Sequence, residues 1–221
     1  MNQPIARFRV KSLIERYTAA TVLAIGAHPD DLELGVGGTL ARLVRADARV
    51  VMAIVSLPGD HERRLAEARA AAAILGCELR ILLEDGRRID DLKPYQLVGL
   101  LDDAVADVAP AAVFTHSAHE FHRDHASVYQ AAVSAQRLRF FDFFSYHPTM
   151  CRPVPVPFTP RAYVDISETI DAKIQAIDAH ASQFSCRGID TGLYRDFARL
   201  HGRMIGTNYA EGFDVGRMLL A

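Results

Sequence analysis

The first two thirds of the chain alternate short apolar runs with longer amphipathic segments. The apolar runs have the length of buried strands and cover residues 22–27, 49–55, 79–83 and 111–115. The segments between them have apolar residues at helical spacing and cover residues 38–46, 62–76 and 95–108. This alternation with short connections predicts an α/β fold with a mainly parallel sheet and helices on both faces. Right-handed crossovers make the predicted fold doubly wound and Rossmann-like.

The pattern becomes less regular after residue 139. Residues 140–149 are rich in aromatic side chains, which favours a strand in the core or at a subunit interface. Residues 152–160 contain several prolines and predict an irregular loop, followed by a strand at 162–166 and a helix from 168 to about 184. No internal repeat or change of composition divides the chain. We therefore expect a single domain over residues 1–221.

Composition narrows the classes of partner. Half of the residues are hydrophobic and 24% are charged, as in an ordinary globular protein. A formal net charge of -2 gives no bulk attraction to nucleic acid or to an anionic membrane, so a small-molecule partner is expected. No segment has the length and apolarity of a signal peptide or a membrane span, which predicts a cytoplasmic protein without membrane insertion.

The cysteines restrict the chemistry of any metal site. Cys77, Cys151 and Cys186 lie far apart and form no CxxC pair. Neither a disulfide framework nor a thiolate zinc site is indicated. A metal ion in this protein must therefore be held by histidines and carboxylates.

Two polar clusters follow strands of the predicted sheet. His28, Asp30 and Asp31 come directly after the first strand, and 122-HRDH-125 comes after the fourth. Because the carboxyl ends of parallel strands share one edge of the sheet, the clusters are expected to meet there. Either cluster alone has an ordinary explanation, since paired Asp residues often form turns or helix caps and a His-rich loop can be solvated. Their joint placement favours a functional site.

These side chains suit metal-assisted hydrolysis of an amide or ester. His28 and Asp31 can converge on one point, and the histidines of 122-HRDH-125 offer a third ligand. Two histidines and one carboxylate, with a fourth position left for water, are typical of catalytic zinc, although iron or cobalt also fits. The remaining residues then have candidate roles: Asp30 as general base, His122 as acid or oxyanion partner, and Asp124 as the group that orients an imidazole.

The same residues resemble a known family. The stretch 27-AHPDDLELGVGGTL-40 and the later 122-HRDH-125 are similar to zinc-dependent de-N-acetylases, which include N-acetylglucosaminyl-phosphatidylinositol de-N-acetylase and the bacterial LmbE-like proteins. Further matches to a family helix lie at Arg64, Glu67, Leu75 and Gly76. Three further segments resemble the smaller bacterial members of the family: 164-VDIS-167, 182-SQF-184 and 209-YAEGF-213.

The resemblance implies a set of roles, a substrate and an assembly. One zinc ion per chain would be held by His28, Asp31 and His125, with Asp30 as the base and His122 as the acid or oxyanion-stabilising group. The substrate would be an N-acylated amino sugar, and a homo-oligomer, a hexamer in several small members, would form. Substrate contacts are expected from Arg64, His180 and Asp85. Arg123 stands where the family usually has Pro, and the loop at 58–64 is short, so the particular substrate is left open.

Two other classes of function remain open. The chain could be a metal-dependent esterase or amidase for a non-sugar substrate, or a non-catalytic module that binds a metal or a nucleotide sugar. Gly35, Gly37 and Gly38 do not complete a dinucleotide-binding GxGxxG motif because residue 40 is Leu, and they are more typical of a tight turn and close helix packing. Glu211 could face either the pocket or an oligomer interface.

Overall fold

The computed structural model describes residues 12–147 and 158–219. Within these residues one sheet contains strands β1 (Thr21–Gly26), β2 (Arg49–Ile54), β3 (Glu78–Ile81), β4 (Ala112–His116), β5 (Asp142–Tyr146), β6 (Ala162–Asp165) and β7 (Ala210–Arg217). Their spatial order is β3-β2-β1-β4-β5-β7-β6. Strands β1 to β5 are parallel, and β7 runs antiparallel to both β5 and β6. The prediction of a mainly parallel sheet is confirmed.

The helices are α1 (Leu13–Arg16), α2 (Asp31–Arg45), α3 (His61–Leu75), α4 (Pro94–Val108), α5 (Arg123–Ala135), α6 (Ile170–Asp178) and α7 (Gly192–Ile205). They cover both faces of the sheet. Side chains alternate between these faces along each strand, so each strand packs against helices on both sides. In β1, Val22 and Ala24 pack on the side of α2, α3, α6 and α7, whereas Leu23 and Ile25 pack on the side of α4 and α5. The doubly wound, Rossmann-like arrangement is therefore confirmed.

Helix α2 begins at Asp31, several residues before the predicted start at 38, because its glycines serve packing within the helix. A Cβ atom at Gly35 would overlap the ring of Tyr146, and one at Gly38 would lie 2.7 Å from Ile166 Cδ1. The helix can thus lie close to β5 and to the residue after β6. Beginning at Asp31 also places the first turn of α2 directly after β1.

The last third of the chain differs most from the sequence prediction. Helix α6 ends at Asp178 rather than near residue 184, and the sequence pattern predicted neither α7 nor β7 as an element. The predicted proline-rich loop lies largely outside the described residues. Among the described residues, no helix has both the length and the apolarity to cross a membrane.

A buried ion pair attaches the unpredicted strand β7 to α2. Glu211 accepts hydrogen bonds from the backbone N–H groups of Gly38 and Thr39, at 2.9 and 2.8 Å. Its Oε1 atom lies 2.5 Å from Nζ of Lys173, which also donates to the carbonyl of Leu34. Glu211 is therefore a buried partner of helices α2 and α6.

Candidate metal and catalytic site

The first cluster is held in the tight turn between β1 and α2. Asp30 precedes α2 with φ of 93°, a left-handed backbone conformation that costs a residue with a Cβ about 1–3 kcal/mol. The N–H of His28 donates to Oδ2 of Asp31 at 2.8 Å across this turn. The adjacent carboxylates have different neighbours: Asp31 contacts histidines, whereas Oδ2 of Asp30 lies 4.0 Å from Arg64. The turn thus gives two consecutive Asp residues separate environments.

The second cluster is placed by β4 and α5, next to the first. His116 ends β4, His122 caps the N-terminus of α5, and His125 lies in the first turn of that helix. Nε2 of His125 lies 3.2 Å from Oδ1 of Asp31, and the rings of His116 and His125 stack with centroids 4.0 Å apart. The two clusters therefore lie side by side at the carboxyl edge of the sheet.

Three of these side chains form a set that fits a divalent metal ion. His28, Asp31 and His125 each offer one ligand atom, and these atoms lie within 4.8 Å of one another. Two imidazoles and one carboxylate are donors that zinc accepts in catalytic sites. His116, Glu120 and His125 form a second group of the same compactness, which shares His125 with the first and consists of buried residues only. The chemistry of the donors fits a metal ion.

Each histidine of the first group also contacts a carboxylate through its other ring nitrogen. Nε2 of His28 lies 2.9 Å from Oδ2 of Asp124, and Nδ1 of His125 lies 3.3 Å from Oε2 of Glu120. Carboxylate partners of this kind fix the tautomer and ring orientation of metal-binding imidazoles. Nδ1 of His28 and Nε2 of His125 then remain for a metal.

Sequence reasoning missed Glu120. It lies inside 116-HSAHEFHRDH-125, between the histidine that ends β4 and the one in the first turn of α5. A carboxylate within a His-rich segment was a signal that could have pointed to it. The connection between β4 and α5 is irregular, however, so no helical or strand spacing related Glu120 to His125.

The surroundings of Asp30 and Asp31 shift the pKa values of these adjacent residues in opposite directions. Burial, and then the charge of Asp31, raise the pKa of Asp30 to about 7. Burial acts in the same direction on Asp31, but His125 and His116 hold its pKa well below the ordinary value. Paired carboxyl groups whose pKa values are driven apart can divide the work of proton transfer and charge stabilisation. Asp30 is the member that can exchange a proton near neutral pH.

The other residues of the cluster also have shifted proton affinities. The hydrogen bond from His28 lowers the pKa of Asp124. Burial lowers the pKa of His122, and the neighbouring His125 and His28 lower it further. Nδ1 of His122 accepts a hydrogen bond from the N–H of Asp124 at 3.3 Å. In the neutral imidazole, the ring proton must then lie on Nε2.

The cluster lies at the base of a cleft of about 410 Å³, within the size range of small-molecule sites. Seven of the nine residues predicted from the sequence line this cleft: His28, Asp30, Asp31, Arg64, His122, Asp124 and His125. Arg64 is nearly buried there and donates to the backbone carbonyls of Pro58 and Pro29, at 3.1 and 3.0 Å. Its guanidinium group thereby supports the turn that carries Asp30.

The other two predicted substrate contacts are not among the described residues that line the cleft. His180 is fully buried, and its Nε2 atom lies 3.0 Å from Oε1 of Glu33. Asp85 lies on an exposed turn and forms a salt bridge of 2.6 Å with Arg87. Glu33 and Arg87 thus bind these two side chains, and the charge of His180 also lowers the pKa of Asp30 in the cleft. Arg88, which was not predicted, lines the cleft from the same turn.

Together, the fold and the cluster define a Rossmann-like α/β protein with a histidine–carboxylate site of the metal-binding type. The model of the family PIG-L, described as GlcNAc-PI de-N-acetylase, matches residues 23–136. The chain belongs to this family, and the predicted resemblance is confirmed. This membership makes the chain an N-deacetylase, a hydrolase of amide bonds.

Individual relatives support the same assignment. The chain is 30% identical to the uncharacterized deacetylase YaiS of Escherichia coli (strain K12), over 73% of this chain and 90% of that protein. It is 29% identical to the diacetylchitobiose deacetylase of Thermococcus kodakarensis, over 86% of this chain and 81% of the relative. The crystal structure of the conserved protein TT1542 from Thermus thermophilus superposes with a TM-score of 0.78 at 29% identity, covering 91% of this chain and 97% of that one.

Proposed function

We propose that this protein removes an acetyl or similar small acyl group from the nitrogen of an amino-sugar-like substrate, with one zinc ion held by His28, Asp31 and His125. The family membership supports the deacetylation, and the names of relatives such as diacetylchitobiose deacetylase support the amino-sugar substrate. The observation that carries the proposal is the position of Asp30. It lies in the cleft directly beside the ligand set and has a pKa near neutrality.

A zinc ion in such a site lowers the pKa of water to about 7 and polarises a carbonyl group. Asp31 is suited to be a ligand, because its low pKa keeps it ionised at neutral pH. Asp124 and Glu120 hold the rings of His28 and His125 in the orientation that leaves one nitrogen of each ring for the metal.

Asp30 is suited to move the proton of the reaction. Its carboxylate accepts a proton from the water that attacks the amide carbonyl, and the same oxygen then delivers that proton to the leaving nitrogen. The C–N bond breaks, the acyl carbon gains a hydroxyl group, and the products are the free amine and acetic acid, which at neutral pH become the ammonium ion and acetate. A pKa of about 7 suits both proton uptake from water and proton delivery to the nitrogen, because the group exchanges its proton easily near the operating pH.

His122 is suited to stabilise the negative charge that develops on the carbonyl oxygen. Its lowered pKa favours the neutral ring, and the hydrogen bond accepted by Nδ1 leaves the proton on Nε2. A neutral imidazole N–H aimed at a developing oxyanion contributes typically several kcal/mol to catalysis. In this assignment His122 donates a hydrogen bond and Asp30 transfers the proton.

Assembly and location remain predictions. Helix α7 exposes the apolar side chains of Leu193, Leu200 and Met204, which supports the expected homo-oligomer. Size-exclusion chromatography with light scattering measures the assembly directly. The expected cytoplasmic location rests on the sequence alone.

The proposed function is tested by assaying acetate release from N-acetylglucosamine and N,N′-diacetylchitobiose with the zinc-loaded protein. A set of simple acyl esters and non-sugar acetamides is assayed in parallel. Acetate release from the sugars in excess of the other compounds supports the proposal. Turnover confined to the esters or non-sugar amides contradicts it.

A further inference from the structure

Two arginines from different parts of the chain line the outer part of the cleft. Arg88 lies on the turn between β3 and α4, and Arg187 lies in the segment between α6 and α7. Both are exposed, so their guanidinium groups are accessible to a ligand that enters from solvent. The metal-type cluster lies in the same cleft.

These arginines differ in their ionic partners from Arg87, the sequence neighbour of Arg88, and from Arg63, which contacts Cys186 beside Arg187. Arg87 forms a salt bridge with Asp85, and Arg63 forms one with Glu67 at 3.3 Å. Neither Arg88 nor Arg187 forms an ion pair with a carboxylate among the residues that the structure describes. Arg88 and Arg187 thus line the cleft without a carboxylate partner among the described residues.

The third arginine of the cleft has a different position. Arg64 is 9% exposed, and its guanidinium donates to two backbone carbonyls beside Asp30. It belongs to the base of the cleft, where the acyl group must lie in the proposed reaction. Arg88 and Arg187 are therefore available to a part of the substrate that extends toward solvent.

We propose that the substrate carries an oxyanion group, a carboxylate or a phosphate, which Arg88 and Arg187 bind while the scissile amide lies at the cluster. The planar fork of a guanidinium matches both kinds of oxyanion and forms charge-assisted hydrogen bonds with them. Two cations at a cleft also concentrate anionic substrates near it. This inference rests on the proposed function, since it specifies the substrate class of the same site.

The remaining lining fits a substrate of this size. The same cleft is also lined by apolar side chains, those of Ile89, Phe184, Ile189 and Tyr194. Apolar side chains with a few polar groups that fix orientation are typical of small-molecule sites. A sugar that carries an amide and a separate anionic group would contact the cluster residues with its amide, the arginines with its anionic group and the apolar side chains with its ring.

The test compares three compounds that share the N-acetyl group: N-acetylglucosamine, N-acetylglucosamine 6-phosphate and N-acetylmuramic acid, which carries a carboxylate. Acetate release by the zinc-loaded protein is measured for the wild type, for the Arg88→Gln/Arg187→Gln variant, and for Arg87→Gln as control. Arg87→Gln removes the same charge from the same turn, but from a side chain that pairs with Asp85.

The wild type is expected to have a higher kcat/KM for at least one of the anionic compounds than for the neutral one. The double variant should lose this preference mainly through KM, by about tenfold for each guanidinium, because a hydrogen bond to a charged group contributes about 1.5 kcal/mol or more. The control should keep the preference of the wild type. Preference for the phosphate over the carboxylate, or the reverse, identifies the oxyanion.

Equal kcat/KM for all three compounds in the wild type, or an unchanged preference in the double variant, would overturn the proposal. Failure of the deacetylase proposal is recognised separately, because none of the compounds would then release acetate. In that case the anion site is tested by calorimetric binding of glucosamine 6-phosphate. Binding at least tenfold weaker in the double variant than in the wild type supports the site, and equal binding excludes it.

Discussion

Oε2 of Glu120 lies 3.3 Å from Nδ1 of His125, on the side of the ring opposite to Asp31. This pair extends the candidate metal site into the buried interior. Glu120 fixes which nitrogen of His125 faces the ligand set, since a carboxylate accepts the hydrogen of the Nδ1–H group. Its role can be tested without any assay of turnover.

Replacing Glu120 by Gln is expected to weaken zinc binding by about 10- to 100-fold, the usual loss when such a carboxylate partner is removed. Competition with a chromophoric chelator measures the dissociation constant. Glu84→Gln is a matched control, because Glu84 is exposed and is not among the described residues that line the cleft. Equal zinc affinity of the Glu120 variant and the wild type would show that Glu120 does not position His125.

Zinc binding is expected to release about one proton at neutral pH, because a ligand histidine must be deprotonated. Burial acts against protonation of His125, but Asp31 and Glu120 raise its pKa to about 10 in the metal-free protein. His125 is therefore protonated below that pH, and the proton must leave when the metal binds. Apparent zinc affinity should rise by about tenfold per pH unit through neutrality.

Calorimetric titrations in two buffers with different ionisation enthalpies count the released protons. The same titration of the Glu120→Gln variant should release fewer protons, since one of the two carboxylates that raise the pKa of His125 is absent. A zinc affinity independent of pH between about 6 and 8, with no proton release, would contradict this account of His125.

Replacing Asp30 by Asn is expected to leave zinc bound and to reduce kcat by about 10²- to 10⁴-fold, the usual contribution of a general base. In the wild type, a pKa raised to about 7 means that the active, ionised form is lost as the pH falls through that value. Activity of the wild type should therefore rise with pH through about 7. Asp90→Asn on the exposed turn before α4 is the control. Wild-type turnover in the Asp30 variant would contradict the mechanism.

The buried pair of Glu211 and Lys173 predicts an effect on stability. Glu211→Ala leaves the ammonium group of Lys173 buried without its carboxylate and is expected to reduce the free energy of unfolding by about 3–5 kcal/mol. Asp171→Ala, which removes an exposed partner of Arg195, should change it by less than about 1 kcal/mol. Chemical denaturation of both variants measures the difference. Similar stabilities would show that the buried pair contributes no more than a surface pair.

The parts of the fold that follow from periodicity were predictable. Strands such as β1 are continuous apolar runs between short turns, and the alternation with helices determines a parallel sheet. Helix α2 was predicted too short because glycine is a poor helix former on its own, whereas here Gly35 and Gly38 admit Tyr146 and Ile166. That packing depends on distant strands, which no local pattern encodes.

The candidate site was predictable where its residues adjoin strand ends. His28, Asp31 and His125 are related by sheet topology, so their meeting follows from the strand order. Glu120 and Arg88 lie on irregular connections, whose course depends on tertiary contacts. The contact between His180 and Glu33, which comes from the first turn of α2, could not be predicted because it joins two helices distant in the sequence.

Acetate release is expected to depend on zinc held by His28, Asp31 and His125. The most direct measurement titrates zinc into metal-free wild type and His125→Ala while acetate release from N-acetylglucosamine is recorded. Wild-type activity is expected to rise to a plateau at about one zinc ion per chain, whereas the variant stays inactive over the same range. Full activity in the metal-free wild type, or equal activation of the variant, would contradict it.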